Sequence, residues 1–292
     1  MRRCHLGGRP SPLVPAVVLL VLLAACDGPA ADSATGTSQP DTGAVPERHA
    51  PFTALWENGE VGRIEAGALT LLPGTYSDAT KVLQYSGGIA VETLEGIDLI
   101  EADGTTDISN GSLLAVSRSG NRIAYLQEQR LVIYESGRES VFVVECIGSA
   151  NGVWDRSDTV LGVVCGQSLH IIFEGSGDVF TRQTPARAID ITRWGEGFAV
   201  LLSTRDGRVE LHRTPCHQQA VYGKLESLAD DVVQVVGGSD NESLVTRTSE
   251  GDVEIRAGSE LAVLSGKVLC IDDGAGPVST EYPCPSVFPA EP

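Results

Sequence analysis

Short apolar runs separated by polar turns recur along most of this 292-residue chain. From Phe52 onward no stretch keeps the i, i+3, i+4, i+7 apolar spacing of a helix over three turns. Runs rich in Val, Ile and Leu are instead interrupted every 6–12 residues by Gly, Asp, Asn or Ser. Turns such as Arg205-Asp206-Gly207-Arg208 and Ser249-Glu250-Gly251-Asp252 suit two-residue hairpins with a left-handed glycine. The pattern predicts an all-β fold made of hairpins.

A pair of neighbouring strands also repeats at a regular distance. The second strand of each pair begins at Ile89, Ile123, Leu161, Phe198 and Leu244, in steps of 34, 38, 37 and 46 residues. A short strand precedes each of them, at 82–85, 113–117, 152–155, 188–194 and 232–236. Residues 53–72 form a degenerate first copy. Six copies over residues 52–292 would hold about 40 residues each.

A unit of about 40 residues is the size of a four-stranded propeller blade, and over residues 52–292 the chain resembles β-propellers of the WD40-like and TolB-like kind. The resemblance is architectural, because Trp154-Asp155 is a single WD dipeptide without the Gly-His partner of WD40 blades. It implies about six four-stranded blades, with a β-sandwich or an irregular all-β fold as alternatives. Trp154 and Trp194 are expected to pack between blades; the alternative is an aromatic platform in a central channel.

The first 25 residues have the layout of a secretory signal peptide. Basic Arg2, Arg3 and Arg9 precede an apolar run over residues 13–25, which is too short to span a bilayer. The run ends in Leu23-Ala24-Ala25-Cys26, which resembles the lipobox of bacterial lipoproteins. This resemblance implies cleavage before Cys26 and a covalent diacylglycerol on its sulfur as the membrane anchor.

Two or three acyl chains hold a protein stably in a bilayer, so we expect a lipid-anchored protein of the cell envelope, outside the cytoplasm. Asp27, directly after the lipidated Cys26, resembles the signal for inner-membrane retention in enteric-type bacteria. Other lineages do not follow that rule, so inner and outer membrane both stay open, and with them a periplasmic location.

Residues 27–51 have the composition of a flexible tether. Only Val45, Arg48 and His49 fall outside Ala, Gly, Pro, Ser, Thr, Asp, Glu and Gln. Such a segment buries too little apolar area to become ordered, and it would span roughly 25–30 Å. The expected organisation is a signal peptide at 1–25, the lipidated Cys and tether at 26–51, and one propeller-like domain at 52–292.

The charge of the chain excludes one class of partner. Acidic residues outnumber Lys and Arg by 39 to 21, for a net charge of −18. Removing residues 1–25 takes away Arg2, Arg3 and Arg9 and no acidic residue, which leaves −21. Binding to nucleic acid needs Lys and Arg to displace phosphate counterions, so no nucleic-acid partner is expected. The acidic body should also avoid an anionic lipid surface.

Five cysteines remain for the exported body, and export permits disulfides. They are Cys146, Cys165, Cys216, Cys270 and Cys284. Cys270 and Cys284 would close the C-terminal tail against the body, and Cys146 with Cys165 is the next most plausible pair. Cys216 would then be the odd cysteine, either a buried inert thiol or a reactive one.

Motifs that carry chemistry are few. No Gly-x-Ser-x-Gly elbow, His-Glu-x-x-His helix, Walker loop or Cys-x-x-Cys pair occurs in the sequence. The segment 101–107, with Glu101, Asp103 and Asp107, resembles an Asp-x-Asp-Gly-x-x-Asp calcium loop, and the alternative is an ordinary hairpin turn. His212, Cys216 and His217 lie close in sequence but show no acidic partner beside them, which favours a blade-edge loop over a metal or nucleophile site.

Paired carboxylates such as Asp230-Asp231 and Asp272-Asp273 are interpreted as solvated turns. Three function classes remain. The first is a non-catalytic, lipid-anchored scaffold whose propeller face or channel binds another envelope protein. The second is a propeller that binds a small ligand, a carbohydrate or calcium. The third is a propeller enzyme whose site is assembled from several blades.

Replacing Cys26 by Ser tests the anchor. Because only a thiol can carry the diacylglycerol, Cys26→Ser should leave an uncleaved or soluble precursor. Gel mobility and membrane fractionation of the variant measure this. A variant that is processed and fractionates like the wild type would refute the lipoprotein hypothesis.

Overall fold

A computed structural model of the protein describes residues 45, 49, 51–102, 104–195, 197–215, 222–238, 242–264 and 266–273. These residues contain twenty-four β-strands. These residues all belong to one unit, Gln39–Pro292; the other unit, Met1–Ser38, lies outside the described residues. The strands form six antiparallel four-stranded sheets, and the described residues contain no helix. The protein is therefore a six-bladed β-propeller, as the repeat predicted.

The first three blades follow the chain from residue 52. Three strands of blade 1 are β1 (Phe52–Trp56), β2 (Val61–Glu65) and β3 (Ala68–Leu71). Blade 2 contains β4 (Lys81–Tyr85), β5 (Gly88–Glu92), β6 (Gly96–Glu101) and β7 (Gly104–Ser109). Blade 3 contains β8 (Gly111–Val116), β9 (Ile123–Gln127), β10 (Arg130–Glu135) and β11 (Arg138–Val143).

The remaining strands complete the ring. Blade 4 contains β12 (Ala150–Trp154), β13 (Val160–Cys165), β14 (Ser168–Phe173) and β15 (Asp178–Gln183). Blade 5 contains β16 (Arg187–Trp194), β17 (Gly197–Ser203), β18 (Val209–Pro215) and β19 (Gly223–Leu228). Blade 6 contains β20 (Val232–Gly237), β21 (Ser243–Thr248), β22 (Val253–Ala257) and β23 (Glu260–Leu264). The last strand, β24 (Val268–Asp273), is the innermost strand of blade 1.

The ring is closed by pairing the last described strand with the first. β24 lies antiparallel to β1, with Phe52 opposite Asp273 and Leu55 opposite Cys270. The first copy of the repeat looked degenerate because the N-terminal segment supplies only three of its four strands. The short strands predicted ahead of each repeat correspond to the innermost strands β4, β8, β12, β16 and β20.

Blade-to-blade packing forms the core. The middle strands are buried on both faces, and every residue of β13 (VLGVVC) is buried, as expected for a sheet covered on both sides. Trp154 is fully buried among residues of blades 3 and 4, and Trp194 packs at the contact of blades 5 and 6. Both tryptophans therefore serve core packing, the first of the two alternatives for them.

The hairpin turns differ in length from the prediction. Thr204 N–H donates to Arg208 O over 2.9 Å, and Thr248 N–H donates to Asp252 O over the same distance, so each turn encloses three residues. Gly207 and Gly251 end these turns with φ of 85° and 97°. A type I turn followed by a left-handed glycine needs this third residue, so the prediction of two-residue turns was wrong.

Three residues of the expected tether are described, Val45, His49 and Pro51, and the first two pack on the body. Val45 is buried in the cluster that contains Phe52 and Val236. His49 contacts the Phe52 ring edge-on at 5.8 Å, and its Nε2 accepts a hydrogen bond from Gly67 N–H over 3.3 Å. Contacts with the body thus begin ahead of residue 52.

The propeller has two faces, which we define by the innermost strands. The upper face is the end at which these strands begin, and it carries the connections between blades. The lower face is the end at which they finish, so Asp273 lies there. Because His49 bonds to Gly67 in the β2–β3 turn, the chain joins the body at the lower face.

One disulfide is present, between Cys146 and Cys165. It joins the connection that leads into blade 4 to the end of β13 at the upper face, and it is one of the two predicted bridges. Cys270 is a free, buried thiol in the structure; Cys284, its predicted partner, lies outside the described residues, as does Cys216. Gln234 Nε2 donates to the Cys270 sulfur over 3.4 Å.

We expect the Cys146–Cys165 bridge to contribute substantially to stability. A bridge across a sequence separation of 19 restricts the unfolded chain by about 3 kcal/mol on the loop-closure estimate. The double variant Cys146→Ser/Cys165→Ser should lose about this much free energy of unfolding in urea. Reductant should destabilise the wild type but not the variant, and equal stability of the two proteins would contradict the prediction.

Candidate functional site

The centre of the propeller is filled by polar side chains from the innermost strands. Lys81 Nζ, at the start of β4, lies 2.6 Å from Asp272 Oδ2 on β24 and donates to Leu114 O on β8 over 2.7 Å. The side chains of Lys81 and Asp272 are 9% and 11% exposed. A single ammonium group thus connects blades 1, 2 and 3.

On the other side of the centre, side chains of β16 bond to the backbone of β20. Asp190 Oδ2 accepts from Val235 N–H over 2.8 Å, and Thr192 Oγ1 accepts from Gly237 N–H over 2.7 Å. The innermost strands do not pair with one another, so their inner backbone groups need side-chain partners. Asp190 and Thr192 supply them between blades 5 and 6.

Two further polar residues complete the ring of contacts. Asn151 Nδ2 on β12 donates to Ile189 O on β16 over 3.0 Å. Gln234 Oε1 on β20 accepts from Ile271 N–H on β24 over 3.1 Å. Every neighbouring pair of innermost strands from β12 through β24 is therefore linked by at least one side-chain-to-backbone bond.

Burial changes the pKa of the acids in this network. Desolvation raises the pKa of Asp190 to about 7, opposed by the backbone N–H groups of Val235 and Ile191. Desolvation likewise raises the pKa of Asp272 to about 6, opposed by Lys81. For Lys81, desolvation alone would lower the pKa, but the charge and hydrogen bond of Asp272, together with Cys270 and Glu92, outweigh it and hold the pKa above the usual value. Lys81 therefore remains protonated.

Asp272 and Asp273 do not form a solvated turn, so that interpretation was wrong. Both lie at the end of β24, and Asp273 Oδ1 is 3.3 Å from Arg193 Nη2. In the sequence these acids directly follow an apolar run. That position could have indicated that they lie at the end of a strand. Asp230 and Asp231, by contrast, are exposed in the connection between blades 5 and 6, as expected for a solvated turn.

The described residues leave little free space at the centre of the channel. The residues around its centre, among them Lys81, Asp190, Gln234 and Asp272, leave a space about the size of one water molecule. Ligand pockets in proteins are usually several hundred Å³. The polar centre thus holds the blades together.

The Trp154-Asp155 dipeptide belongs to a structural network on the lower face. Arg122 stacks over the Trp154 ring at 4.5 Å and pairs with Glu174. Asp155 Oδ1 accepts from Val160 N–H within its own turn, and Asp158 accepts from Ser119 N–H of the neighbouring blade over 2.7 Å. These bonds join blades 3 and 4 and leave the dipeptide no evident role in binding.

The structure describes two of the three residues of the predicted calcium loop. Glu101 accepts hydrogen bonds from Tyr85 over 2.7 Å and from Tyr134 over 3.1 Å. Asp107 lies opposite Asp98 on the β6–β7 ladder, and Asp103 lies outside the described residues. Within the described ranges no three His, Cys, Asp or Glu residues are grouped to hold a metal ion, and the calcium loop stays a prediction.

His212 has an acidic partner, contrary to the sequence interpretation. Its Nε2 lies 2.9 Å from Glu210 Oε2, and Glu210 also pairs with Lys224 over 2.5 Å. Alternate residues of a strand share a face, so the i, i+2 spacing could have revealed this contact. Cys216 and His217 lie outside the described residues, as do Cys26 and Cys284.

The two faces differ in charge. The described turns and connections of the upper face hold eleven acidic residues: Glu57, Glu60, Asp78, Glu95, Glu128, Glu145, Asp206, Asp230, Asp231, Glu250 and Asp252. They hold three cations: Arg205, Arg208 and Lys267. The described turns of the lower face are nearly balanced, with Asp155, Asp158, Glu174 and Glu242 against Arg118, Arg122 and Arg156.

Apolar side chains are also displayed on the upper face. Leu94, in the β5–β6 turn, is 95% exposed, and Ile147, inside the loop closed by the disulfide, is 90% exposed. Val143, at the end of β11, is 77% exposed. The upper face therefore combines exposed apolar side chains with an excess of carboxylates in its described turns.

No family model matches the chain, and no curated protein matches its sequence. A chain in the crystal structure of the mitotic checkpoint complex is similar in structure, with 12% identity, a TM-score of 0.49 and 70% of each chain covered. A functionally unknown protein from Desulfotomaculum acetoxidans DSM 771 is similar with 10% identity, a TM-score of 0.47 and coverage of 73% of this chain and 78% of that one.

A search of the described residues for membrane-spanning helices finds none of sufficient length and apolarity.

The raised pKa of Asp190 should appear in the pH dependence of stability. An unfolded aspartate titrates near pH 4, so between about pH 4 and 7 the folded chain binds this proton more tightly than the unfolded chain. The contribution of Asp190 to the free energy of unfolding therefore falls as the pH rises through this window, by up to about 1.4 kcal/mol per pH unit.

Asp190→Asn removes this titration. The variant should gain stability relative to the wild type between pH 4.5 and pH 7.5 in urea unfolding experiments. Asp230→Asn, at an exposed position, serves as the control and should show no such relative gain. Parallel pH profiles of wild type and Asp190→Asn would contradict the assignment of a raised pKa.

Proposed function

We propose that the protein is a non-catalytic binding module, anchored to a bacterial membrane through lipid on Cys26, that presents the upper face of its propeller to another protein of the envelope. The observation that carries the proposal is the upper face, which combines an excess of carboxylates with exposed Leu94 and Ile147. Charge complementarity speeds association and selects partners, and apolar side chains supply area that becomes buried in a complex.

The attachment of the N-terminal segment supports this orientation. Val45 and His49 pack on the body, and His49 bonds to Gly67 at the lower face. A lipid on Cys26 would therefore hold the protein from the lower side, whose turns carry nearly balanced charge. The acidic upper face would be directed away from a membrane with an anionic surface, which would repel it.

The filled channel favours a role of the face over a role of the channel. Lys81, Asp190 and Asp272 use the centre for contacts between blades, so the described channel offers no volume for a substrate. A partner that docks on the upper face needs no such volume. Among the function classes the sequence left open, a surface that binds protein agrees best with this arrangement.

Site-specific cross-linking in cells tests the proposal. A photoreactive residue at Leu94 or Ile147 of the full chain should yield a reproducible cross-linked protein, because these side chains would be buried in the complex. Mass spectrometry identifies the adduct. The same photoreactive residue at Ser176, an exposed position in a turn of the lower face, should not yield that adduct. Monomer alone from both upper-face positions would count against the proposal.

A further inference from the structure

A cavity lies in the groove between blades 5 and 6. It has a volume of about 190 Å³ and is lined by residues of β19, of the connection to β20 and of β20–β22. These residues are Ser227, Leu228, Ala229, Val232, Leu244, Thr246, Glu254 and Arg256. For scale, an apolar cavity of about 150 Å³ in another protein binds benzene. The groove therefore has room for one large apolar side chain.

The wall of the cavity is mixed, because leucine and valine side chains of the contact between the blades lie beside Ser227, Thr246, Glu254 and Arg256. Leu228, Val232 and Leu244 belong to the cluster that packs blade 5 against blade 6. Arg256 Nη2 on β22 bonds to both carboxylate oxygens of Glu226 on β19, over 2.7 and 2.8 Å. This pair connects the two blades across the groove and holds its width, so the cavity is formed before anything binds.

Carboxylates surround the upper end of the groove. Asp230 and Asp231 follow Ala229 directly in the connection, and Glu250 and Asp252 lie in the β21–β22 turn. The two segments are in contact, because Ser249 N–H donates to Asp231 O over 2.8 Å. All four acidic side chains are exposed, and Glu254, which lines the cavity itself, is exposed too.

The positive charge in this region is already used. Among the residues that line the cavity the cation is Arg256, and Glu226 neutralises it. Lys267 lies beside Gly251 of the β21–β22 turn and pairs with Glu57 over 3.3 Å, so the five surrounding carboxylates outnumber the cation beside them. An occupant of matching charge must therefore carry cations on both sides of the group that enters the cavity.

We infer that this groove binds a short segment of the partner protein in which a large apolar side chain is flanked by Lys or Arg. The apolar side chain enters the cavity between Leu228 and Leu244, and the flanking cations lie against the carboxylates of the connection and the β21–β22 turn. The inference rests on the proposed function, because it names the chemistry of the partner that the upper face binds.

A peptide array tests the inference directly. The probes are nine-residue peptides whose central position is Leu, Phe, Trp or Ser and whose two neighbours on each side are Lys or Glu. The labelled full chain should bind peptides with an apolar centre and Lys flanks, and raising the salt concentration should weaken that binding because the charges are screened. Peptides with a Ser centre or Glu flanks should bind at least tenfold more weakly.

Variants separate the groove from the rest of the acidic surface. Asp231→Lys/Glu250→Lys removes the charge complementarity, and Ala229→Trp blocks the cavity from an exposed position. Each should weaken binding of the Lys-flanked peptides at least tenfold. Asp78→Lys/Glu95→Lys makes the same charge change in the equivalent connection and turn beside blade 2, and should retain binding. Thermal melting confirms that each variant is folded.

The outcomes distinguish this inference from the proposed function. If no peptide of the array binds, or if the groove variants and the blade 2 control bind alike, the groove is not the site. The cross-linked partner at Leu94 or Ile147 would then still stand, and only the location and chemistry of its binding segment would be wrong. If that partner is also missing, the proposed function fails as well.

Discussion

The arrangement of the propeller depends on how the inner edges of its innermost strands find hydrogen-bond partners. These strands belong to different sheets, so no ladder satisfies the backbone groups that face the centre. Asp190, Thr192 and Lys81 provide bonds to the backbone of neighbouring blades instead. Buried polar groups are costly when unpaired, so this centre tolerates little change. The centre is polar because the ring leaves these backbone groups without a ladder partner, and its polar side chains stabilise the fold by bonding to them.

This constraint also limits where function can lie. Contacts between blades occupy the centre, so in the proposed function binding takes place on a face. The charges of the described turns are unequally distributed between the two faces. The lower face receives the N-terminal segment through His49, whereas the upper face carries most of the acidic turns. In the proposed function the lower side serves attachment and the upper side serves recognition, and acidic turns of the upper side flank the groove between blades 5 and 6.

The sequence predicted the blades better than it predicted the site. Repeated pairs of strands located the innermost strands of blades 2 to 6, because burial on both faces leaves a recognisable apolar run. The role of β24 was missed, since nothing local in a strand shows that its partner lies more than 200 residues away. Asp272 was misinterpreted for the same reason: its partner, Lys81, lies in the neighbouring blade but far away in the sequence.

The way the ring closes has a consequence for the biosynthesis of the protein. β1 stays without its inner neighbour until β24 is available, so the first blade cannot be completed while the chain is still being made. Contacts between such distant segments form slowly, because a long loop must close before they bring any gain. A chain that is threaded through a membrane from its N-terminus would thus arrive on the far side before it can fold. For the exported protein that we propose, late closure of this kind would keep the propeller competent for transport.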